Sequence, residues 1–212
     1  MRDVAIFGAG GFGRELACYI NLQNREQPIW NLVGFFDDNQ ALQGSQNEFG
    51  MILGGKDLLN SWKTPLCVLI AIGSGATVKK IVEGITNKNV EFPNFFYKPS
   101  FIDESSVKFG RGNIIIDTHF SCAVSIGDFN MTVGGVGFGH DVEIGSYNSF
   151  MPGVKISGNV RVGNECFFGV NSVILQQLII ADNVKLGAGS VMMTKPKSDS
   201  LYLGVPAKLF KY

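Results

Sequence analysis

The spacing of apolar residues changes character near residue 97. Before that point, three short apolar runs alternate with stretches of helical periodicity; the runs cover residues 4–7, 32–36 and 67–72, and helical patterns follow the first and the third. Short apolar runs separated by amphipathic helices favour a parallel sheet with helices on its faces. The sequence therefore predicts an α/β domain of Rossmann-like type over residues 1–97.

From residue 98 onward, helical periodicity disappears and apolar residues recur every six positions. Thirteen of the fourteen residues at this spacing between 114 and 192 are apolar, where the overall composition would supply about six. The residue two positions earlier is mostly small or β-branched, and a glycine often follows. The fourteen positions are Ile114, Phe120, Ile126, Thr132, Phe138, Ile144, Phe150, Ile156, Val162, Phe168, Ile174, Ile180, Leu186 and Met192.

This six-residue repeat predicts a parallel β-helix over residues 98–212. A short strand points one large side chain inward, a turn follows, and three strands close a coil of about 18 residues. Stacked coils pair their backbones at about 4.8 Å and bury a core that no single repeat could bury alone. The span provides about five coils. Residues 196–212 are expected to cap one end or to pack on a neighbouring chain.

Composition and charge mainly exclude other classes of protein. Eighteen basic and eighteen acidic residues balance, and no basic segment is present, which argues against binding to nucleic acid. No apolar run approaches the roughly 20 residues of a membrane span, and the N-terminus lacks the features of a signal peptide, so we expect a cytoplasmic protein. Four widely spaced cysteines and two histidines predict neither a metal site nor a disulfide framework.

A glycine-rich turn follows the first apolar run and indicates a nucleotide site. Gly8, Gly10 and Gly13 fit the pattern G-x-G-x-x-G, and Asp37 and Asp38 follow about two dozen residues later. Such glycines let a backbone approach a pyrophosphate, and a carboxylate can accept a hydrogen bond from a ribose or a base. The motif alone would indicate NAD, but the hexads begin before a second mononucleotide half fits, which leaves a nucleotide sugar or a purely structural turn. The candidate residues are Gly8, Gly10, Gly11, Phe12, Gly13, Asp37, Asp38 and Gly73.

The two halves together resemble a known family. The second half, with Gly145, Gly163 and Gly187 after its hexads and the strings at residues 187–191 and 204–208, resembles the hexapeptide-repeat acyltransferases. With the glycine turn, nearly the whole chain is similar to the bacterial nucleotide-aminosugar N-acetyltransferases and sialic-acid O-acetyltransferases of the PglD/NeuD type. This resemblance implies a left-handed β-helix, a homotrimer, acetyl-CoA bound between adjacent chains and a first domain that binds a nucleotide sugar.

His140 and Asp141 are the candidate catalytic residues. They follow the inward Phe138, which predicts a corner of the coil, and they match the family's base and its acidic neighbour. An imidazole titrates near neutral pH and can take the proton that an amine loses as it attacks a thioester. One coil later, the N–H of Gly158 would stabilise the charge on the acetyl carbonyl, a role that the resemblance supports.

The resemblance further implies cofactor contacts at Val170, Ala188 and Ser149, where the family has a second histidine at the last position. Gly139 and Val133 replace a glutamate and an asparagine of the family. His119 is expected to be an ordinary surface or interface histidine.

The expected function is transfer of acetyl from acetyl-CoA to the amino group of a nucleotide-linked amino sugar, in glycan or surface-polysaccharide synthesis. O-acetylation of sialic acid or another sugar is an alternative. A non-catalytic protein that binds nucleotide sugars or assembles partners is a further alternative.

Overall fold

The computed structural model describes residues 1–211 and forms two compact units. One consists of Met1–Gly73 and Thr77–Pro93, and the other of Ser74–Ala76 and the chain from Asn94 onward. The sequence placed the boundary at residue 97, whereas the strand Phe95–Tyr97 pairs with Ile114–Ile116 of the second unit. Within the described residues, no helix is long and apolar enough to cross a membrane.

The first unit is built on one sheet with the strand order β3-β4-β2-β1-β5-β6. Its strands pair in parallel, except that β3 is antiparallel to β4. The elements are β1 Arg2–Phe7, α1 Gly11–Glu26, β2 Trp30–Phe36, β3 Gln46–Asn47, β4 Gly50–Gly54, α2 Lys56–Asn60, β5 Leu66–Ile70, α3 Gly75–Gly84 and β6 Val90–Glu91.

The three apolar runs form the central strands β1, β2 and β5, and the two helical patterns form α1 and α3. Burial explains this agreement, since Val4, Ala5 and Ile6 of β1 are fully buried and α1 turns Leu16 and Ile20 to the interior. The sequence did not predict the hairpin β3–β4 or α2, because elements of two and five residues are too short to carry a period.

The second unit is a parallel β-helix whose coils have three faces. The first face contains β7 Phe95–Tyr97, β10 Ile114–Ile116, β13 Met131–Thr132, β16 Ser149–Phe150, β19 Phe167–Phe168, β22 Lys185–Leu186, β24 Leu201–Leu203 and β25 Lys208–Leu209. The second contains β8 Ser100–Phe101, β11 Thr118–Phe120, β14 Val136–Phe138, β17 Lys155–Ile156, β20 Val173–Ile174 and β23 Val191–Met192. The third contains β9 Lys108–Phe109, β12 Ser125–Ile126, β15 Glu143–Ile144, β18 Arg161–Val162 and β21 Ile179–Ile180, and a 3-10 turn, Glu104–Ser106, precedes it.

Parallel pairing places each residue beside the residue 18 positions away in most of the helix, as Gly137 beside Lys155. The predicted inward residues therefore stack in the core, and rings such as Phe150 and Phe168 lie face to face with centroids 4.9 Å apart. One of the fourteen was wrong: the core contains Ile115 in place of Ile114. The reason is a change of coil length, since Ile115 pairs with Phe96, 19 residues earlier, and with Thr132, 17 residues later.

A column of buried asparagines holds the corner between the third and first faces, which we call the third corner. Asn94, Asn113, Asn130 and Asn148 stack so that each Oδ1 accepts the backbone N–H of the next member, and Asn148 does so for Cys166. Their Nδ2 groups also donate to backbone carbonyls of the turns, as Asn130 does to Gly145 at 2.9 Å. The column thus satisfies backbone groups that the turns leave without strand partners.

The end of the chain extends the first face. Strand β24 pairs in parallel with β22, and β25 folds back antiparallel to β24. Tyr202 and Ala207 of this segment belong to the core of the helix. The expected terminal segment therefore covers the stack with two further strands; its last residue, Tyr212, lies outside the described residues.

We predict that Asn130→Ala lowers the free energy of unfolding by about 2–4 kcal/mol. The change removes the acceptor of the buried Asn148 N–H and the donor to Gly145, and each unsatisfied buried group costs about 1–3 kcal/mol. Denaturant unfolding at a fixed protein concentration measures the loss. Asn164→Ala is the matched control, because Asn164 accepts the Ser146 N–H at an exposed position, and we expect it to cost less than about 1 kcal/mol. Equal losses in the two variants would contradict a structural role for the buried column.

Candidate functional site

His140 and Asp141 lie at the corner between the second and third faces, which we call the second corner. His140 Nδ1 and Asp141 Oδ2 are 2.7 Å apart, and the side chains are 62% and 63% exposed. The backbone of Asp141 is left-handed, with φ of 57°, and its N–H donates to the carbonyl of Cys122. The His140 carbonyl accepts the N–H of Asn159 at 2.8 Å. The coils before and after thus fix the backbone under an open ion pair.

Gly158 provides the space in which the imidazole ring lies. A Cβ at this position would stand 2.6 Å from Nε2 and 2.7 Å from Cε1 of His140, so any larger residue would displace the ring. Within residues 1–211, the N–H of Gly158 donates no hydrogen bond, whereas its carbonyl accepts the N–H of Gln177. An unpaired N–H thus lies in the residue that supports the ring.

A cavity of about 430 Å³ opens at this corner, and it contains residues that the sequence did not identify. Its lining consists of His140, Asp141, Ser157, Gly158, Asn159, Gln176 and Gln177. The coil register offered a signal for the two glutamines, because they stand 18 residues beyond Gly158 and Asn159 in the sequence. Hydroxyl and amide groups therefore surround the imidazole on the side of the later coils.

Two of the expected cofactor residues lie at a different corner. Val170 and Ala188 are exposed and stack between the first and second faces, at what we call the first corner; the N–H of Gly189 donates to the carbonyl of Val170. They do not line the cavity of His140. Within one chain, the structure therefore separates these apolar side chains from the imidazole.

The expected cofactor contact at Ser149 does not agree with the structure. Ser149 belongs to β16 on the first face, between Met131 and Phe167 of the adjoining strands, and it is only 3% exposed. A ligand cannot reach this buried hydroxyl. The sequence could not show this, because the residue lies outside the inward hexad position and its burial depends on the surroundings of the first face.

The two buried cysteines do not supply a nucleophile. Burial raises the pKa of the Cys166 thiol to about 12 and also raises the pKa of Cys67. Both side chains therefore remain protonated at neutral pH, and a thiol reacts as its thiolate.

In the first unit, the glycine turn divides into residues required by packing and residues that face open space. Gly8 has φ of +109°, and a Cβ there would meet the carbonyl of Ala71 at 2.7 Å. A Cβ on Gly13 would overlap the carbonyl oxygen of Gly8. Around Gly10 and Gly11 nothing lies within 4 Å of the Cβ position. The turn thus exposes a bare backbone where α1 begins.

The two aspartates after β2 have different environments. Both carboxylate oxygens of Asp37 accept backbone N–H groups, Oδ2 from Ala9 and Oδ1 from Asn39, each at 2.9 Å. Asp38 accepts the N–H of Lys56 through Oδ1, and its Oδ2 has no hydrogen-bond partner in the described part of the chain. Asp37 therefore ties the glycine turn to the end of β2, and Asp38 keeps an oxygen available for a ligand.

A cavity of about 350 Å³ lies where β1, β2 and β5 end, and two lysines border it. The lining residues are Phe7, Asp37, Asp38, Lys56, Ile72, Thr77, Lys80 and Ile81. Phe12 is half-buried in α1, and Gly73 is exposed after β5, with nothing within 4 Å of its Cβ position. Sequence reasoning missed Lys56 and Lys80, which belong to no motif. The place is the one where open parallel sheets bind ligands.

Comparisons with known proteins cover both units. Residues 3–85 match the family model of the PglD N-terminal domain. WeeI from Acinetobacter baumannii AYE is 24% identical, with a TM-score of 0.87, covering 99% of this chain and 100% of that one. The acetyltransferase domain of PglB from Neisseria gonorrhoeae FA1090, in complex with acetyl coenzyme A, is 25% identical, with a TM-score of 0.84 and 99% of both chains covered.

A third solved structure is a mutant of perosamine N-acetyltransferase from Caulobacter crescentus, in complex with CoA and GDP-perosamine. It is 19% identical, with a TM-score of 0.84, and the match covers 100% of this chain and 98% of that one.

The class of protein follows from these findings: a Rossmann-like domain joined to a parallel β-helix of the hexapeptide-repeat acetyltransferase type, as the sequence predicted. The resemblance to the PglD/NeuD-type acetyltransferases is confirmed, since residues 3–85 belong to the PglD N-terminal domain family and the whole chain has the fold of these enzymes.

Proposed function

We propose that this chain transfers acetyl from acetyl-CoA to the amino group of a nucleotide-linked amino sugar. The observation that carries the proposal is the pair of His140 and Asp141 at an open corner, with the ring seated on Gly158. The complexes of similar proteins with acetyl coenzyme A and with GDP-perosamine support the choice of both substrates.

His140 acts as the general base. With Nδ1–H donating to Asp141, the lone pair of Nε2 is available to the amine. As the nitrogen forms a bond to the thioester carbonyl carbon, its proton passes to Nε2, and the carbonyl oxygen takes the negative charge. The Gly158 N–H stabilises this charge. The C–S bond then breaks, and the CoA sulfur leaves as a thiolate or takes the proton from the imidazolium. No acyl-enzyme is needed.

The acetyl-CoA site is completed by a second chain. Val170 and Ala188 lie at the first corner and His140 at the second, so apolar contacts and base meet in one site only if adjacent chains supply them. A homotrimer with cyclic symmetry does this three times over. Ser149 has no part in this proposed site because it is buried.

The nucleotide binds at the carboxyl ends of the strands in the first unit. Gly10, Gly11 and Gly73 leave room for its backbone contacts, with Phe12 beside them, and Asp38 accepts from a ribose or base hydroxyl or amine. Lys56 and Lys80 place positive charge in the same cavity, which suits a diphosphate. Gly8, Gly13 and Asp37 hold the turn in shape. Use of acetyl-CoA and a sugar nucleotide fits a cytoplasmic step of glycan or surface-polysaccharide synthesis.

We expect CoA release with at least one UDP-, dTDP- or GDP-linked amino sugar, and His140→Ala should lower kcat by roughly 10²–10⁴. The thermal transition should stay unchanged, because the side chain is 62% exposed. The rate of the wild-type enzyme should fall as the pH drops through the range where an imidazole takes up a proton. Acylation of a sugar hydroxyl in place of an amine would favour the O-acetyltransferase alternative. Binding of the sugar nucleotide without affinity for CoA would favour a non-catalytic sensor, and full activity of His140→Ala would refute the base.

Light scattering tests the shared site. We expect a species of about 69 kDa, three chains of 23.0 kDa, at micromolar concentration. A monomer under the conditions of the activity assay would contradict a site built from two chains.

A further inference from the structure

A polar notch lies on the second face directly beside His140. It has a volume of about 440 Å³, and six of its lining residues present backbone or polar groups: His119, Ser121, Gly137, Gly139, Lys155 and Ser157. Ser157 also lines the cavity of His140, so the two spaces adjoin. We call these six residues the polar notch.

The notch exists because three successive coils contribute different residues at the same two positions. In the register of the strands, Gly137 stands between His119 of the preceding coil and Lys155 of the following one. Gly139 is flanked in sequence order by Ser121 and Ser157, each of which directly follows its strand. The middle coil thus has no side chains at either position, while polar side chains border it on both sides.

Lys155 lies across the floor of the notch without a carboxylate partner. A Cβ on Gly137 would stand 3.3 Å from its Cδ and 3.5 Å from its Nζ, and the ammonium donates to the carbonyl of Gly135 at 2.5 Å. No ion pair of Lys155 occurs among residues 1–211. The ammonium therefore keeps two N–H donors and its full charge for a ligand.

The other polar groups are also free to meet a ligand. His119 Nδ1 is 3.0 Å from the hydroxyl of Ser100, which leaves Nε2 open. In the described part of the chain, the hydroxyls of Ser121 and Ser157 make no hydrogen bonds, and no acidic side chain lines the notch. An ammonium, an imidazole and two hydroxyls without a carboxylate form a set that suits an oxyanion.

We infer that the polar notch binds an oxyanion carried by the acceptor and so contributes to acceptor specificity. This inference rests on the proposed function, because it places the acceptor beside the base. Two acceptors present such a group next to the reacting sugar atom: a nucleotide sugar through the phosphate nearest the sugar, and a sugar acid such as sialic acid through its carboxylate. His119 thus takes a binding role that the sequence did not indicate.

Substitution of Lys155 tests the inference. We expect Lys155→Met to raise KM for the acceptor about tenfold or more, because a hydrogen bond to a charged group is worth about 1.5–3 kcal/mol. Its kcat and its KM for acetyl-CoA should stay within about twofold. Lys155→Arg should retain most of the affinity, and Ser121→Ala should weaken it less than Lys155→Met. Lys108→Met is the matched control, since Lys108 is an exposed lysine on β9 of the third face.

Calorimetry without acetyl-CoA distinguishes the two sources of the oxyanion. Weaker binding of UDP, GDP or dTDP to Lys155→Met than to Lys108→Met identifies a phosphate, and weaker binding of N-acetylneuraminate identifies a carboxylate. Unchanged binding and unchanged acceptor KM in Lys155→Met would overturn the notch, as would equal losses in the Met and Arg variants. If the wild type acetylates nothing but binds one of these anions through Lys155, the proposed function fails and the notch stands.

Discussion

The parallel pairing of coils 18 residues apart is the constraint on which the second unit depends. It fixes which residues become neighbours, so that a side chain at a corner always lies beside the residue one coil away. The same rule aligns the buried asparagines at the third corner and sets Gly158 under the imidazole of His140. Because backbone pairing defines these columns, an exposed side chain is positioned without being buried, and the reacting group can remain open to both substrates.

Glycine has two separate uses in this molecule, and they explain the two candidate sites. At Gly8 and Gly13 the absence of a side chain lets the chain pack against itself, and at Gly10 and Gly11 it leaves space outside the chain. Gly158 likewise makes room for a ring, and Gly137 opens the floor of the polar notch. In each unit, bare backbone lies beside charged groups, Lys56 and Lys80 in one and His140 and Lys155 in the other. Such places suit polar, anionic substrates.

The sequence predicts the parts of this structure that repeat or that belong to a motif. The hexads gave the β-helix and the corner position of His140, because a strict period leaves little freedom. It could not show that a 19-residue and a 17-residue coil put Ile115 in the place of Ile114. Nor could it show that Asp37 is engaged by the glycine turn or that Ser149 is buried, since both depend on contacts between distant segments. The notch stayed hidden because its polar residues come from three coils and form no motif.

The seat of His140 on Gly158 is the central claim, and the rate of acetyl transfer by Gly158→Ala tests it most directly. The added methyl would stand 2.6 Å from Nε2, so it must displace an exposed ring while leaving the stacked coils intact. The account predicts a loss in kcat of roughly 10²–10³ with an unchanged thermal transition, because both base and oxyanion donor are disturbed. A Gly158→Ala enzyme that keeps the wild-type rate would contradict it.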